Sequence, residues 1–173
     1  FTITTGALAV TGSFDAGTGT LIWQGGALPT NVSYNNLVID SATASIGGAL
    51  TVLGNLTINP GAQLTTNNNA IDTNGDLLVS STGSLATGSS TINVAGDFTV
   101  AGTGQVTGTS TIVLDTASSD TIAISPLGSY AGALIRNSTG NTLTLAGNVQ
   151  GTVAMTNQGA LKLDSYDVIL TGN

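Results

Sequence analysis

Gly54-Asn55-Leu56-Thr57-Ile58, Gly75-Asp76-Leu77-Leu78-Val79 and Gly96-Asp97-Phe98-Thr99-Val100 are one pattern written three times, 21 residues apart. A unit of ~20 residues cannot bury its own apolar face, so a period this short means one supersecondary element stacked on copies of itself. Within each copy, apolar residues alternate with polar ones at period two, which puts Leu56 and Ile58, Leu77 and Val79, and Phe98 and Val100 on one face of a strand.

Two more strands fit into each period. The second supplies Leu64, Leu85 and Val106, and the third supplies Ile71, then Ile92 and Val94, then Ile112 and Leu114. Between them lie corner sequences such as Asn59-Pro60-Gly61, Ser80-Ser81-Thr82-Gly83 and Ala101-Gly102-Thr103-Gly104. The alternate residues Thr57, Thr99, Thr65, Asn93 and Val113 are expected to point outward. Three strands and three corners per rung describe an all-β fold: a parallel β-solenoid (β-helix), roughly triangular, with about 21 residues per rung. Parallel crossovers are right-handed as a rule, and the coil is expected to follow it.

The pattern loosens on both sides. Upstream, Leu8, Val10, Phe14, Leu21 and Trp23, and then Leu37, Ile39, Ile46, Leu50 and Val52, make earlier rungs. Downstream, Ile122, Ile124, Leu134, Ile135, Leu143, Leu145, Val149, Val153, Met155, Leu161, Leu163, Val168 and Leu170 continue the series. Residues 1–173 therefore read as a single solenoid domain of about eight rungs, ~40 Å long. The stretches 24–36 and 116–132 carry Pro29 and Pro126, which cannot donate to an interior ladder, and a bulging loop or displaced strand is expected there. A longer repeat overlies the rungs, because Leu50-Thr51-Val52-Leu53-Gly54-Asn55 returns as Leu143-Thr144-Leu145-Ala146-Gly147-Asn148, a module of ~95 residues.

Composition narrows the function. Of 173 residues 6 % are charged, and the net charge of −7 includes only Arg136 and Lys162 as cations, so no basic stripe exists for nucleic acid or an anionic membrane surface. No run reaches the ~18 apolar residues of a membrane-spanning helix, and membrane insertion is not expected. Cysteine is absent, which excludes disulfides and thiolate metal sites. Low charge with abundant Gly, Thr and Asn is an extracellular, bacterial style of composition, pointing to a secreted or cell-surface protein. The sequons at Asn31, Asn55 and Asn137 are explained by the abundance of Asn and Thr.

Phe14-Asp15-Ala16-Gly17-Thr18-Gly19-Thr20-Leu21, Tyr34-Asn35-Asn36-Leu37-Val38-Ile39 and Gly48-Ala49-Leu50-Thr51-Val52-Leu53-Gly54-Asn55-Leu56-Thr57-Ile58 together resemble the repeat of very large bacterial surface proteins of the autotransporter and filamentous-haemagglutinin-like kind. The resemblance covers most of the first half and fades in the second. It implies a right-handed parallel β-solenoid acting as stalk, fibre or adhesive shaft. It carries no catalytic motif.

An enzyme is not expected. The chain has no His, no Glu and one Arg, whereas polysaccharide lyases and hydrolases of this general architecture need a base and cation cluster or paired acids. Asp164 with Asp167 and Asp115 with Asp120 read as corner residues. Asp76 and Asp97 stack at one rung position, and with Asp72 they form the calcium candidates, their other reading being turn-forming acids. No further cofactor is indicated. An ice-binding Thr ladder is broken where Leu78 stands between Thr57 and Thr99. Trp23 with Gln24, Tyr34, Tyr130 and Tyr166 offers a possible platform for surface glycans, against packing of loops on the coil. Arg136 near Asp120 or Asp40, and Lys162 near Asp164, read as surface charges.

The ends complete the expectation. Phe1-Thr2-Ile3-Thr4 and Val168-Ile169-Leu170 read as strands without a charged or helical cap, which marks Phe1, Ile3, Val168 and Leu170 as an end-stacking interface. The expected partners are flanking solenoid rungs or copies of the chain stacked head to tail, an arrangement that gives open filaments. The sequence thus reads as a non-enzymatic structural element of a surface fibre. The alternatives are a carbohydrate-binding or adhesive module, and after it an ice-binding protein.

Overall fold

Asn59-Pro60-Gly61-Ala62 shows how each rung starts to bend. The Ala62 N–H donates to Asn59 O (3.0 Å) and Gly61 takes φ +76°, the residue with positive φ that a proline-initiated type II turn requires. The same i to i+3 closure returns one rung on, from Gly83 N–H to Ser80 O, and again from Gly104 N–H to Ala101 O. Repeated bends of this kind wind the strands into a coil. A computed structural model describes residues 2–3, 17–29, 32–40, 42–115, 120–125, 129–136, 142–145, 149–151 and 155–170.

All described strand pairs are parallel, and among the described residues no helix occurs. The first face is a nine-stranded sheet that takes one strand from each successive rung: Thr2–Ile3, Thr20–Trp23, Asn36–Ile39, Leu56–Ile58, Leu77–Val79, Phe98–Val100, Asp120–Ile124, Thr142–Leu145 and Ala160–Lys162. The second face stacks Gly26–Leu28, Thr43–Ile46, Gln63–Thr65 and Ser84–Gly88, and the third stacks Ser33–Tyr34, Leu50–Val52, Ile71–Thr73 and Thr91–Val94. The chain is thus a parallel β-solenoid, with five turns between Thr20 and Leu114 in which all three faces are described.

The spacing of 21 residues holds only in the middle. Leu56 pairs with Leu77 and Leu77 with Phe98 at that interval, but Leu21 pairs with Leu37, Leu37 with Leu56, and Phe98 with Ile122. Two features lengthen or shorten the rungs. Second and third faces fuse above the fourth described turn, because Gln105–Leu114 runs through the corner as a single strand and carries Ser129–Arg136 on top of it. Over 24–36, where a bulging loop or displaced strand is expected, the chain contributes the short strands Gly26–Leu28 and Ser33–Tyr34, with Pro29 placed between them and outside either ladder. Strands Asp120–Ile124 and Ser129–Arg136 likewise fall within or across 116–132, while residues 116–119 and 126–128 lie outside the described residues.

The interior is aliphatic and closed to water. Leu56, Ile58, Leu64, Ile71, Leu77, Val79, Leu85, Ile92, Val94, Phe98, Val106, Ile112 and Leu114 are all fully buried, and Thr57, Thr65, Asn93, Thr99 and Val113 are on the outer side, half-exposed, as period two requires. Two expectations fail. Tyr34 and Tyr130 are inside the coil rather than on loops, Tyr34 fully buried and Tyr130 edge-on against Phe98 with ring centroids 5.9 Å apart, while Trp23 is fully buried as its place in the rung with Leu21 requires. Leu161 and Leu163, expected in the interior, are 38 % and 43 % exposed, because Ala160–Lys162 is the outermost described strand of its sheet and no described rung covers it.

Candidate functional site

Among the described residues, the corner that enters the first face carries the most regular polar chemistry. Asn36 Oδ1 accepts the N–H of Asn55 (2.9 Å), Asn55 Oδ1 accepts the N–H of Asp76 (2.9 Å), Asp76 Oδ1 accepts the N–H of Asp97 (2.9 Å), and Asp97 Oδ1 accepts the N–H of Thr121 (2.7 Å). Each side chain thus reaches across the gap between rungs to the backbone of the next one. The result is a column of Asn and Asp running along the coil, outside the sheet ladder and parallel to it.

The glycine before each of these residues is there to seat the column. A Cβ on Gly54 would collide with Asn36 Oδ1, one on Gly75 with Asn55 Oδ1, and one on Gly96 with Asp76 Oδ1. The Gly-Asn and Gly-Asp pairs that open the repeat are therefore two halves of one joint: the Asn or Asp of one rung fills the space left by the missing side chain of the next. Backbone bonds close the seam, with Gly75 N–H donating to Gly54 O (3.0 Å) and Gly96 N–H to Gly75 O (3.1 Å).

A second polar column sits where the first face ends. The carboxylate of Asp40 accepts hydrogen bonds from Gln24 Nε2 and Asn59 Nδ2, both at 2.9 Å, so one acid is clamped by amides of the rungs below and above. The bond from Asn59, then that from Gln24, hold its carboxyl below the usual carboxylate range. These amides are partners of Asp40; the side chain of Arg136, expected near Asp120 or Asp40, lies outside the described residues.

The corner between second and third faces turns its polar groups inward. Thr66 Oγ1 and Ser90 Oγ lie 2.6 Å apart, and each lies within 2.7 Å of Thr87 O, so two hydroxyl protons serve three short oxygen–oxygen edges. Thr87 Oγ1 in turn donates to Thr107 O of the following rung (2.8 Å). Thr66, Thr87, Ser90, Ser110 and Thr73 are all buried, and the hydroxyls of Thr73 and Ser110 have no partner among the described residues. On the outside of this corner, Asn67 Nδ2 donates to Ile46 O of the rung below (3.0 Å), and Asn68 Oδ1 accepts from Ser89 N–H of the rung above (2.9 Å). Asn67 and Asn68 both take positive φ, a conformation Asn tolerates better than most residues.

Asp76 and Asp97 do stack, as their shared rung position requires, but each spends a carboxylate oxygen on the backbone above it. Asp72 lies elsewhere, exposed on the third face in register with Thr51 and Asn93. Partial burial, and after it the charge of Asp72, raises the Asp115 carboxyl above its ordinary range. Among the described residues no three acidic or histidine side chains gather into a group that could hold a metal. Lys162 Nζ and Asp164 Oδ1 form an exposed ion pair of 3.1 Å, worth little at a surface.

The outer column of the first face runs Ile22, Val38, Thr57, Leu78, Thr99, Ala123, so hydroxyls and aliphatic groups alternate where an ice binder would show an unbroken Thr row. Of the aromatics considered for glycan binding only Tyr166 is exposed; Trp23 Nε1 donates to Gly26 O (3.4 Å) and Tyr34 OH to Pro29 O (2.6 Å) within the coil. Of the end-stacking residues, Phe1 lies outside the described residues. Ile3 is in register with Trp23 and Leu170 with Gly151, each in the outermost described strand of its sheet; Val168 is half-buried against the core.

Sequence reasoning missed the joint itself. Its signal is present, since Asn or Asp follows each glycine of the repeat, but at that spacing Asp76 and Asp97 read as calcium candidates or turn-forming acids rather than as side chains spanning two rungs. Comparison with protein-family models, with curated proteins and with solved structures finds no match for this chain.

Proposed function

We propose that this chain is a non-enzymatic structural protein, a rigid β-solenoid segment of an extracellular fibre or shaft on a bacterial surface. The observation that carries the reading is the Asn/Asp column, which with the parallel ladders ties successive rungs together from Asn36 to Thr121 along the coil axis. Hydrogen bonds aligned with the axis resist extension, and a filled aliphatic interior keeps water away from the ladders that hold the rungs together. The Thr-, Ser- and Asn-rich outer surface keeps such a rod hydrated with little charge. Resemblance of the repeat to stalk-forming surface proteins supports the same use.

Assembly in this reading is end to end, through Phe1 and Ile3 on one side and Val168 and Leu170 on the other, with a flanking rung or a second copy as the partner. The exposed Leu161 and Leu163 beside the last strands are the kind of apolar edge that such a partner would cover. The glycan-binding alternative loses its main support with Trp23, Tyr34 and Tyr130 inside the coil.

Electron microscopy of the purified protein, with diffraction from aligned material, is the direct test. Rods or filaments whose axial repeat is ~4.8 Å, the spacing of stacked strands, are expected. A dispersed short particle that never associates through its ends would overturn end-to-end assembly, and saturable binding to a glycan panel would move the assignment to an adhesive module.

A further inference from the structure

Asp72-Thr73-Asn74-Gly75-Asp76 contains the chain's one Asn-Gly pair. Asn-Gly is the dipeptide most prone to close into a succinimide, because glycine puts no side chain in the way of its own nitrogen. The pair is a by-product of the joint. Gly75 must lack a Cβ to seat Asn55, and the position before it faces solvent, where an exposed Asn74 happens to stand. At the equivalent positions of the neighbouring rungs, Leu53 and Ala95 precede the glycine and have no amide to react.

We infer that Asn74 is a deamidation site that the fold holds shut. The reaction needs the Gly75 nitrogen to lose its proton and attack Asn74 Cγ, expelling ammonia and forming a succinimide; water then opens the ring at either carbonyl to give aspartate or isoaspartate. In the folded coil that nitrogen is not free. Three successive amides are tied to the rung below: Asn74 N–H donates to Val52 O (2.9 Å), Gly75 N–H to Gly54 O (3.0 Å) and Asp76 N–H to Asn55 Oδ1 (2.9 Å). The side chain of Asn74 is exposed while its attacking partner is locked, so modification proceeds only when this corner opens. The product matters mechanically, because isoaspartate adds a methylene to the main chain and displaces Asp76 from the oxygen it rests on. A carboxylate would also appear between Asp72 and Asp76.

The test compares the native protein with the same protein unfolded in urea, at mildly alkaline pH and body temperature. Amide-to-acid conversion is followed by intact mass, peptide mapping and enzymatic methylation of isoaspartate. Conversion at Asn74 is expected at least about tenfold faster in the unfolded chain, the ratio reporting how rarely the corner opens. Asn74→Ser should abolish the fast conversion in the unfolded state. Hydrogen exchange of the Gly75 and Asp76 amides in the native protein should show them protected. Equal rates in the folded and unfolded protein, conversion in the unfolded chain occurring first at another asparagine, or unprotected Gly75 and Asp76 amides would each overturn the inference.

Discussion

Two corners of the coil use the same small polar residues and behave differently along it. At the corner entering the first face, the step from Val52 to Leu56 is repeated without change from Thr73 to Leu77 and from Val94 to Phe98. At the corner leaving the second face, the step from Leu64 to Ile71 is kept from Leu85 to Ile92, loses one residue from Val106 to Ile112 and two more from Tyr130 to Leu134. The first corner has an outward side chain that must land on the next rung's N–H over a glycine, so its length is fixed by geometry. The second fills its interior with hydroxyls that bond to whatever carbonyl is near, and residues can drop out until the corner becomes continuous strand. Where no Gly-Asn or Gly-Asp pair precedes the strand the first corner changes length: it is one residue shorter from Tyr34 to Leu37, and it lengthens from Leu114 to Ile122.

The strongest way to break this contrast is Gly75→Ala. The added Cβ meets Asn55 Oδ1 and the Gly54 backbone, neither of which can retreat without loosening the ladder, and a loss of about 2–4 kcal/mol is expected by urea denaturation. Gly47→Ala is the control, since a Cβ there meets nothing within 4 Å; if both substitutions cost the same, the joint is not what holds the corner. At the adaptable corner Thr66→Val should cost less, about 1–2 kcal/mol, because Ser90 Oγ can still donate to Thr87 O when the Thr66 hydroxyl is gone.

Thr73→Val should act in the opposite direction. Its hydroxyl is buried without a partner in a column shared with Val52 and Val94, and replacing it by a methyl of the same shape is expected to stabilise the coil by about 1 kcal/mol. A destabilised Thr73→Val would mean that the hydroxyl is bonded after all.

High pH probes the rungs that flank the regular turns. Burial pushes the phenols of Tyr34 and Tyr130 up to about 12 from an ordinary 10.0. The folded state therefore favours the neutral phenol, so this stability is complete below pH 10 and is lost as pH rises toward about 12. Stability should fall over that window in step with phenolate absorbance; loss beginning well below it would show that these rings are reached by water.

Much of the fold was legible because the coil obeys one rule at a time. Leu56, Leu77 and Phe98 are interior for the same reason, and seeing one identifies the others. Less was legible where side-chain reach decides. Asn55 reads as a turn residue, and only the backbone above it makes it a hydrogen-bond acceptor for Asp76. Thr66, Thr87 and Ser90 carry the polar labels of surface residues, yet at a tight corner they are small enough to go inside, where they bond one another. Tyr34 and Tyr130 escape period reasoning, which finds residues that repeat, because they fill rungs whose length differs from their neighbours.

The joint between glycine and the preceding Asn or Asp also bears on inheritance. Gly96 meets Asp76 much as Gly75 meets Asn55. Removing residues 75–95, or copying them once more, would leave every seam of a kind the coil already contains, with Phe98 following Leu56 in the same register. A gene encoding such a coil can gain or lose whole rungs by misaligned recombination without inventing an interface, and the length of the rod becomes a trait that evolution can adjust in single steps.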